Sequence, residues 1–241
     1  MPKNVSYSII LPAYNEEQVI SSSIDNVYSF FKSMNKPFEI IVADDGSSDN
    51  TVNIVNSKMK KIKELKLFSN NINQGKGSVL SGSLPIAKGK IVAFIDSDLA
   101  IDTNLFHDMV KYIEDGFDIV IASKHLNDSE VEYSFIRTIF SNCYAFSARI
   151  LLGVNIKDYQ CGFKAFNPKV LSSVLPLVKS KSWSWDTEFL VKADWLGFRI
   201  KELPAKVVDI GRKSKVHPFR DAKNFGLELI RLYNEKKSFK K

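Results

Sequence analysis

Short apolar runs that each stop at an acidic or glycine-bearing loop recur along the N-terminal half of this chain, and few architectures accommodate them. From Ser6 the chain reads Ser-Tyr-Ser-Ile-Ile-Leu-Pro-Ala-Tyr-Asn-Glu-Glu, an apolar run ended by proline and followed by acids suited to the first turn of a helix. Phe38–Ala43 is a second run, closed by Asp44-Asp45-Gly46-Ser47-Ser48-Asp49-Asn50-Thr51, a turn-rich loop with several N-caps before another helix. Leu65–Phe68 is a weaker strand, and the polar loop Asn70–Gly77 leads into a small-residue helix near Ser78–Ala87. Lys90–Ile95 is a third clear strand and ends at Asp96-Ser97-Asp98. Strands alternating with helices predict an α/β fold with a mostly parallel sheet flanked by helices, whose ligands gather at the carboxyl ends of the strands. Each polar motif falls at such an end.

Beyond Asp98 the spacing predicts a helix near Thr103–Asp115, a strand at Asp118–Ala122 and a long helical segment over Tyr133–Leu152. In that segment Phe135, Ile139, Phe146 and Ile150 share one face, a stripe that serves either core packing or a membrane surface. Arg137 and Arg149 are compatible with the surface. His217–Tyr233 reads as a second amphipathic helix, and the basic tail Lys236–Lys241 as a solvated, frayed terminus. With no internal repeat, linker or low-complexity segment, the 241 residues read as one domain, 1–241, in which 133–152 and 217–241 are candidate membrane-interface helices.

Met1–Ile10 lacks the pattern of a secretory signal, and no run approaches the ~18 apolar residues of a membrane span. Cys143 and Cys161 lie apart from each other and from the three histidines, so neither a zinc pattern nor a redox pair is formed and a reducing cytoplasm is expected. The 34 basic residues against 27 acidic ones give a net charge of +7, which favours polyanionic partners. Nucleic acid is not expected, because no aromatic RNA-reading motif or basic recognition helix is present.

Asp96 and Asp98, separated by one residue at a strand end, can turn both carboxylates to a common site; such hard oxygen ligands suit Mg²⁺ or Mn²⁺, against the alternative of a solvated turn. Asp44 and Asp45 can accept from the base or ribose of a nucleotide, or cap a helix, a task that Ser47, Ser48 or Asp49 could equally perform. Lys76, between Gly75 and Gly77, can approach a diphosphate or simply sit on a surface turn. Glu188 either closes a sugar pocket or complements a helix N-terminus. Trp183 and Trp185 stack on a sugar, dip into a membrane interface or pack in the core.

Pro12-Ala13-Tyr14-Asn15-Glu16, Asp44-Asp45-Gly46-Ser47, Asn73-Gln74-Gly75-Lys76-Gly77 and Asp96-Ser97-Asp98, in this order and spacing, resemble family 2 glycosyltransferases. Asp158-Tyr159-Gln160-Cys161-Gly162-Phe163-Lys164 and Trp185-Asp186-Thr187-Glu188 extend the resemblance over nearly the whole chain, towards the polyprenyl-phosphate hexose synthases of that family. The resemblance implies a GT-A fold with a Rossmann-like sheet. It further implies a peripheral protein at the cytoplasmic face of a membrane, catalysing metal-dependent, inverting transfer of a hexose from UDP-glucose or GDP-mannose to dolichyl or polyprenyl phosphate. By motif, Pro12, Tyr14, Glu16 and Asp45 contact the nucleoside with Asp44 in support, while Lys76, Asp96, Ser97 and Asp98 hold metal and diphosphate. Lys124, Arg137, Ser141 and Lys215 take the acceptor phosphate, with Arg137 counted among the catalytic residues. Asp158, Gln160, Trp185, Asp186 and Glu188 form the candidate sugar pocket.

Two positions depart from the mannose synthases: Lys124 and Asp209 stand where those enzymes usually carry arginine. Asp-x-Gln-Cys-Gly-Phe-Lys looks closer to the dolichyl-phosphate glucosyltransferases, and Asp98-Leu99 closer to the mannose enzymes. A lipid monophosphate, with a second pKa of about 6, is already largely a dianion near neutrality and needs no strong general base. Three alternatives remain. A soluble sugar or protein acceptor would leave both amphipathic helices to core packing. A nucleotidyltransferase would carry a glycine-rich, arginine-containing loop where Pro-Ala-Tyr-Asn-Glu stands. An inactive nucleotide-sugar-binding or membrane scaffold module is disfavoured by the retention of both Asp96 and Asp98.

Overall fold

The computed structural model describes the backbone of residues 4–130, 135–207 and 218–239, and their side chains apart from 135–142, 218–225 and 237–238. Among the described residues, seven strands form one sheet: β1 (Tyr7–Ala13), β2 (Phe38–Asp44), β3 (Leu65–Ser69), β4 (Ile91–Ile95), β5 (Ile119–Ser123), β6 (Phe163–Phe166) and β7 (Ile200–Pro204). Their order is β3-β2-β1-β4-β6-β5-β7. The helices are α1 (Ile20–Ser33), α2 (Thr51–Met59), α3 (Lys76–Ser83), α4 (Leu105–Glu114), α5 (Phe135–Leu152), α6 (Pro168–Val174), α7 (Trp185–Trp195) and α8 (Pro218–Phe239).

Every residue of β1, β2, β4 and β5 is buried, as both faces of a parallel sheet covered by helices require. Neighbours along a strand point to opposite faces, so Ile9, Leu11, Ile40 and Val42 join one core with Ile24, Phe31 and Phe106, while Ile10, Ile41 and Phe94 join the other with Leu80, Leu152, Phe189 and Leu232. All neighbours run parallel except β6, which is antiparallel to both β4 and β5. Its reversed direction positions the site: β6 begins where the parallel strands end, with Phe163 opposite Ile95, so the Asp158–Gly162 segment arrives beside Asp96. The predicted parallel core is present. β6 and β7 are additions to it, and α8 runs on through the first part of the basic tail to Phe239, whose ring lies 5.3 Å from that of Trp195.

α5 and α8 pack on one another, and α8 commits Leu229 and Leu232 to the second core. Its seat on α7 is ionic. Glu188, fully buried, accepts from Lys179 N (3.0 Å), Ser180 N (2.7 Å), Lys192 Nζ and Arg231 Nη2 (2.8 Å). Glu235 adds contacts to Lys192 (3.1 Å), Lys179 (2.9 Å) and Arg231 (2.9 Å). Among the described residues, no helix is long and apolar enough to cross a membrane.

Candidate active site

The loops after β1 and β2 are stitched together. Asn15 N donates to Ser47 Oγ (2.9 Å), Glu16 N to Thr51 Oγ1 (2.8 Å) and Glu17 N to Asp49 Oδ2 (3.0 Å), while Ser48 N donates back to Asn15 Oδ1 (2.9 Å). Ser47 and Asp49, read in the sequence as spare helix caps, thus join two loops. Pro12 is buried in β1, Tyr14 is exposed and Glu16 is buried.

Asp44 and Asp45 close β2, and both are buried. Asp44 Oδ2 accepts from Gly46 N (3.2 Å), Ser47 N (3.2 Å) and Ser69 Oγ (2.9 Å); its Oδ1 is buried with no hydrogen-bond partner among the described residues. Asp45 Oδ1 accepts from Asn70 Nδ2 (2.9 Å) and Gln74 N (3.0 Å), and Oδ2 from Gly75 N (2.7 Å). The carboxylate read as a nucleoside contact therefore pins the loop that precedes Lys76. Gly75 has φ +98°, and a Cβ there would stand 2.4 Å from Lys181 O, so this turn admits only glycine.

Lys76 opens α3 and projects over the sheet's carboxyl edge. Its Nζ lies 2.6 Å from Asp96 Oδ1 and 3.9 Å from Asp186 Oδ2, with the rings of Phe94 and Trp183 centred at 5.2 Å and 5.6 Å. Burial alone would lower its pKa; the charges of Asp96 and Asp186 outweigh burial and raise it. Asp186 in turn receives Lys164 Nζ at 2.6 Å. Asp98 is held above the ordinary aspartate range, first by burial and then by the charge of Asp96, with Glu16 adding to it against the Ala100 amide and Lys76. Ser97 is buried, and its carbonyl accepts from Ser23 Oγ at 2.5 Å. Asp96 stays partly open, and its amide is held by Gly162 O at 2.8 Å.

On the far side, Asp158 Oδ2 accepts from Lys124 N at 2.9 Å and lies 3.9 Å from Lys124 Nζ, so Lys124 is tied to a carboxylate. Gln160 Nε2 donates to Thr187 Oγ1 (3.1 Å), which also meets Tyr144 OH (2.7 Å). Two pocket expectations are corrected. Trp185 is fully buried, stacked on Phe189 with Nε1 donating to Ser81 Oγ at 2.8 Å, so its indole has no face to offer a sugar. Glu188 is enclosed by the ionic seat of α8. The side chains of Arg137 and Ser141, and the whole of Lys215, lie outside the described residues. Sequence reasoning gave no role to Lys164 or Gly162; a lysine inside the apolar Phe-Lys-Ala-Phe was the available signal.

Among the described residues, no group of three or more histidine, cysteine and acidic side chains is disposed to hold a metal alone. Asp96 and Asp98, two neighbouring carboxylates that are both half-buried, instead fit a Mg²⁺ or Mn²⁺ ion that takes its remaining ligands from water and substrate phosphates.

The profile described as Glycosyl transferase family 2 matches residues 8–175. Glycosyltransferase AglD of Haloferax volcanii is 30% identical over 95% of this chain, which spans only 37% of that relative's length. A dolichyl-phosphate beta-glucosyltransferase of Dictyostelium discoideum is 31% identical over 95% of this chain and 74% of its own, and the Homo sapiens protein of that name 27% identical over 92% and 73%. Among solved structures, glucosyl-3-phosphoglycerate synthase of Mycobacterium tuberculosis, in complex with Mn²⁺, uridine diphosphate and glucosyl-3-phosphoglycerate, superposes with a TM-score of 0.68 over 96% of this chain and 80% of its own, at 22% identity. That likeness shows the GT-A fold. With the family profile covering most of the chain and both acidic strand ends intact, the protein belongs to glycosyl transferase family 2.

Proposed function

We propose that the protein transfers glucose from UDP-glucose to dolichyl phosphate, inverting the anomeric centre and releasing a nucleoside diphosphate. The observation that carries the reading is the 31% identity, spread over 95% of the chain, with a dolichyl-phosphate beta-glucosyltransferase. The site agrees with it. Asp96 and Asp98 would hold a divalent ion, which when bound neutralises charge on the departing diphosphate. Lys76 brings a second cation to the same place, on a loop fixed by Asp45. Tyr14 and Glu16 edge the nucleoside side. Lys124, Arg137, Ser141 and Lys215 are proposed for the acceptor phosphate, a dianion that attacks without a general base. Asp158 orients Lys124 there, and Gln160 lines the side facing the sugar.

Exposed Phe146 and Ile150 on α5 and exposed Leu227 and Ile230 on α8 form the face proposed to meet the membrane. Incubation with Mn²⁺ or Mg²⁺, detergent-dispersed dolichyl phosphate and either UDP-glucose or GDP-mannose is expected to give a glucosylated lipid only from UDP-glucose and only with metal. 3-Phosphoglycerate serves as the competing acceptor, and product on it alone, or none from either donor, would overturn the proposal. Flotation with anionic vesicles should recover the protein; replacing Phe146, Ile150, Leu227 and Ile230 by serine should abolish recovery.

A further inference from the structure

Lys164 is fully buried within β6, between Phe163 and Ala165. An ammonium in such a place has to be paired, and an apolar side chain of similar size fills the same volume at no greater cost to stability. Its Nζ donates to Asp186 Oδ1 and to Cys161 O, both at 2.6 Å. The other oxygen of Asp186 lies 3.9 Å from Lys76 Nζ, and Lys76 bonds Asp96 at 2.6 Å. Four charges of alternating sign therefore run from the sheet interior to the open edge: Lys164, Asp186, Lys76, Asp96. Both ammonium groups stand 5.2 Å from the centre of the Phe94 ring.

We infer that Lys164 is a positioning residue: by engaging Asp186 it keeps that carboxylate from capturing Lys76, and so leaves Lys76 at the edge to meet a nucleoside diphosphate. The inference rests on the donor reading above. Its physical content is a competition. A carboxylate with two close cations shares its attraction between them, whereas one that has lost its buried partner moves onto the cation that remains. With Lys164 gone, Asp186 would close the 3.9 Å gap to Lys76 and draw it off Asp96. The diphosphate would then have to break that new pair, while the nucleoside contacts around Tyr14 and Glu16 would be untouched.

The test is calorimetric binding of UDP, GDP and uridine, with Mn²⁺ present, to wild type, Lys164→Met and the double variant Lys164→Met/Asp186→Asn, each first checked for a cooperative thermal transition. Removing an outer partner of a charged site weakens binding by about 10- to 100-fold, and this is the loss expected for UDP in Lys164→Met, with uridine unchanged. Adding Asp186→Asn abolishes the captor and the stranded charge together, so UDP affinity should return to within about threefold of wild type. Should Lys164→Met alone fail to fold, the double variant carries the decision. A double variant that binds UDP as weakly as Lys164→Met, or at least tenfold more weakly than wild type where the single variant does not fold, overturns the inference. A Lys164→Met protein that binds UDP like wild type, or loses UDP and uridine alike, does the same. Wild type that binds neither UDP nor GDP overturns the donor reading and this inference with it.

Discussion

Gly162→Ala puts the smallest side chain against the candidate metal ligand. A Cβ at Gly162 would stand 1.9 Å from Asp96 Oδ2, 2.4 Å from Cγ and 3.1 Å from Cβ, where ordinary contact begins at 3.4 Å. The carboxylate has to retreat by about 1.5 Å, or β6 has to separate from β4. Retreat is the easier response, because Asp96 is 38% exposed at the sheet edge, whereas the Asp96 N to Gly162 O bond at 2.8 Å and the pairing of Ile95 with Phe163 hold the strands together. Overpacking of this kind costs about 1–3 kcal/mol, which for a chain of this size lowers Tm by roughly 2–10 °C and leaves the fold intact.

The site is affected more than the fold. A retreating Asp96 gives up Lys76 and leaves the place where, with Asp98, it would hold the metal. Displacement of a reacting constellation by an ångström costs on the order of 10²-fold in rate. Steady-state glucosylation of dolichyl phosphate, run as a Mn²⁺ titration beside a thermal melt, should therefore show kcat/KM down about 100-fold and the metal requirement shifted to higher concentration in a protein that still melts cooperatively. A folded Gly162→Ala protein with activity within about threefold of wild type and an unchanged Mn²⁺ curve would refute the placement of Asp96 at the reacting centre.

Three further outcomes are expected. Glu188→Ala removes one of the two carboxylates paired with buried Lys192, leaving Glu235, and takes the acceptor from Lys179 N and Ser180 N, so it should cost about 1–3 kcal/mol in denaturant unfolding while leaving the KM for UDP-glucose of the remaining folded protein unchanged. Burial would raise the pKa of Glu188, but Lys192 and Arg231 outweigh it and hold the carboxyl below its ordinary value. The stability it contributes is thus fully present above the unfolded glutamate value of about 4.3 and is lost as pH falls through the lower folded value, so Tm of wild type should drop in that range and Glu188→Gln should blunt the drop. Asp45→Asn keeps the shape but weakens acceptance from Gln74 N, Gly75 N and Asn70, which should loosen the Lys76 loop and raise the donor KM about tenfold with a smaller effect on kcat.

The sequence announces some of these elements for a physical reason. β1, β2, β4 and β5 are buried on both faces, so they appear as uninterrupted apolar runs, and the acids that close them must lie at one edge of a parallel sheet. β6 escapes detection because a lysine interrupts it; Lys164 belongs in a core only through Asp186, 22 residues away. β7, Ile-Lys-Glu-Leu-Pro, is half polar because it forms the sheet's last strand. Trp185 beside Asp186 can serve a sugar, a membrane interface or the core until the fold brings Ser81 beneath its indole, 104 residues distant in the chain.

The acidic motifs show the same division one level deeper. Asp45 and Asp96 are legible as carboxylates at the sheet's carboxyl side, and Asp186 through its motif alone, yet the duties of the three differ. Asp45 is spent on amides of the Gln74–Gly75 turn, and Asp186 is held by a buried lysine. Asp96, whose amide is occupied by Gly162, keeps its side chain partly open. Local spacing decides which carboxylates share an edge. Which of them stays available to a ligand is decided by which backbone amides and ammonium groups from distant segments reach the others first, and that competition exists only once the antiparallel β6 has brought Gly162 and Lys164 into place.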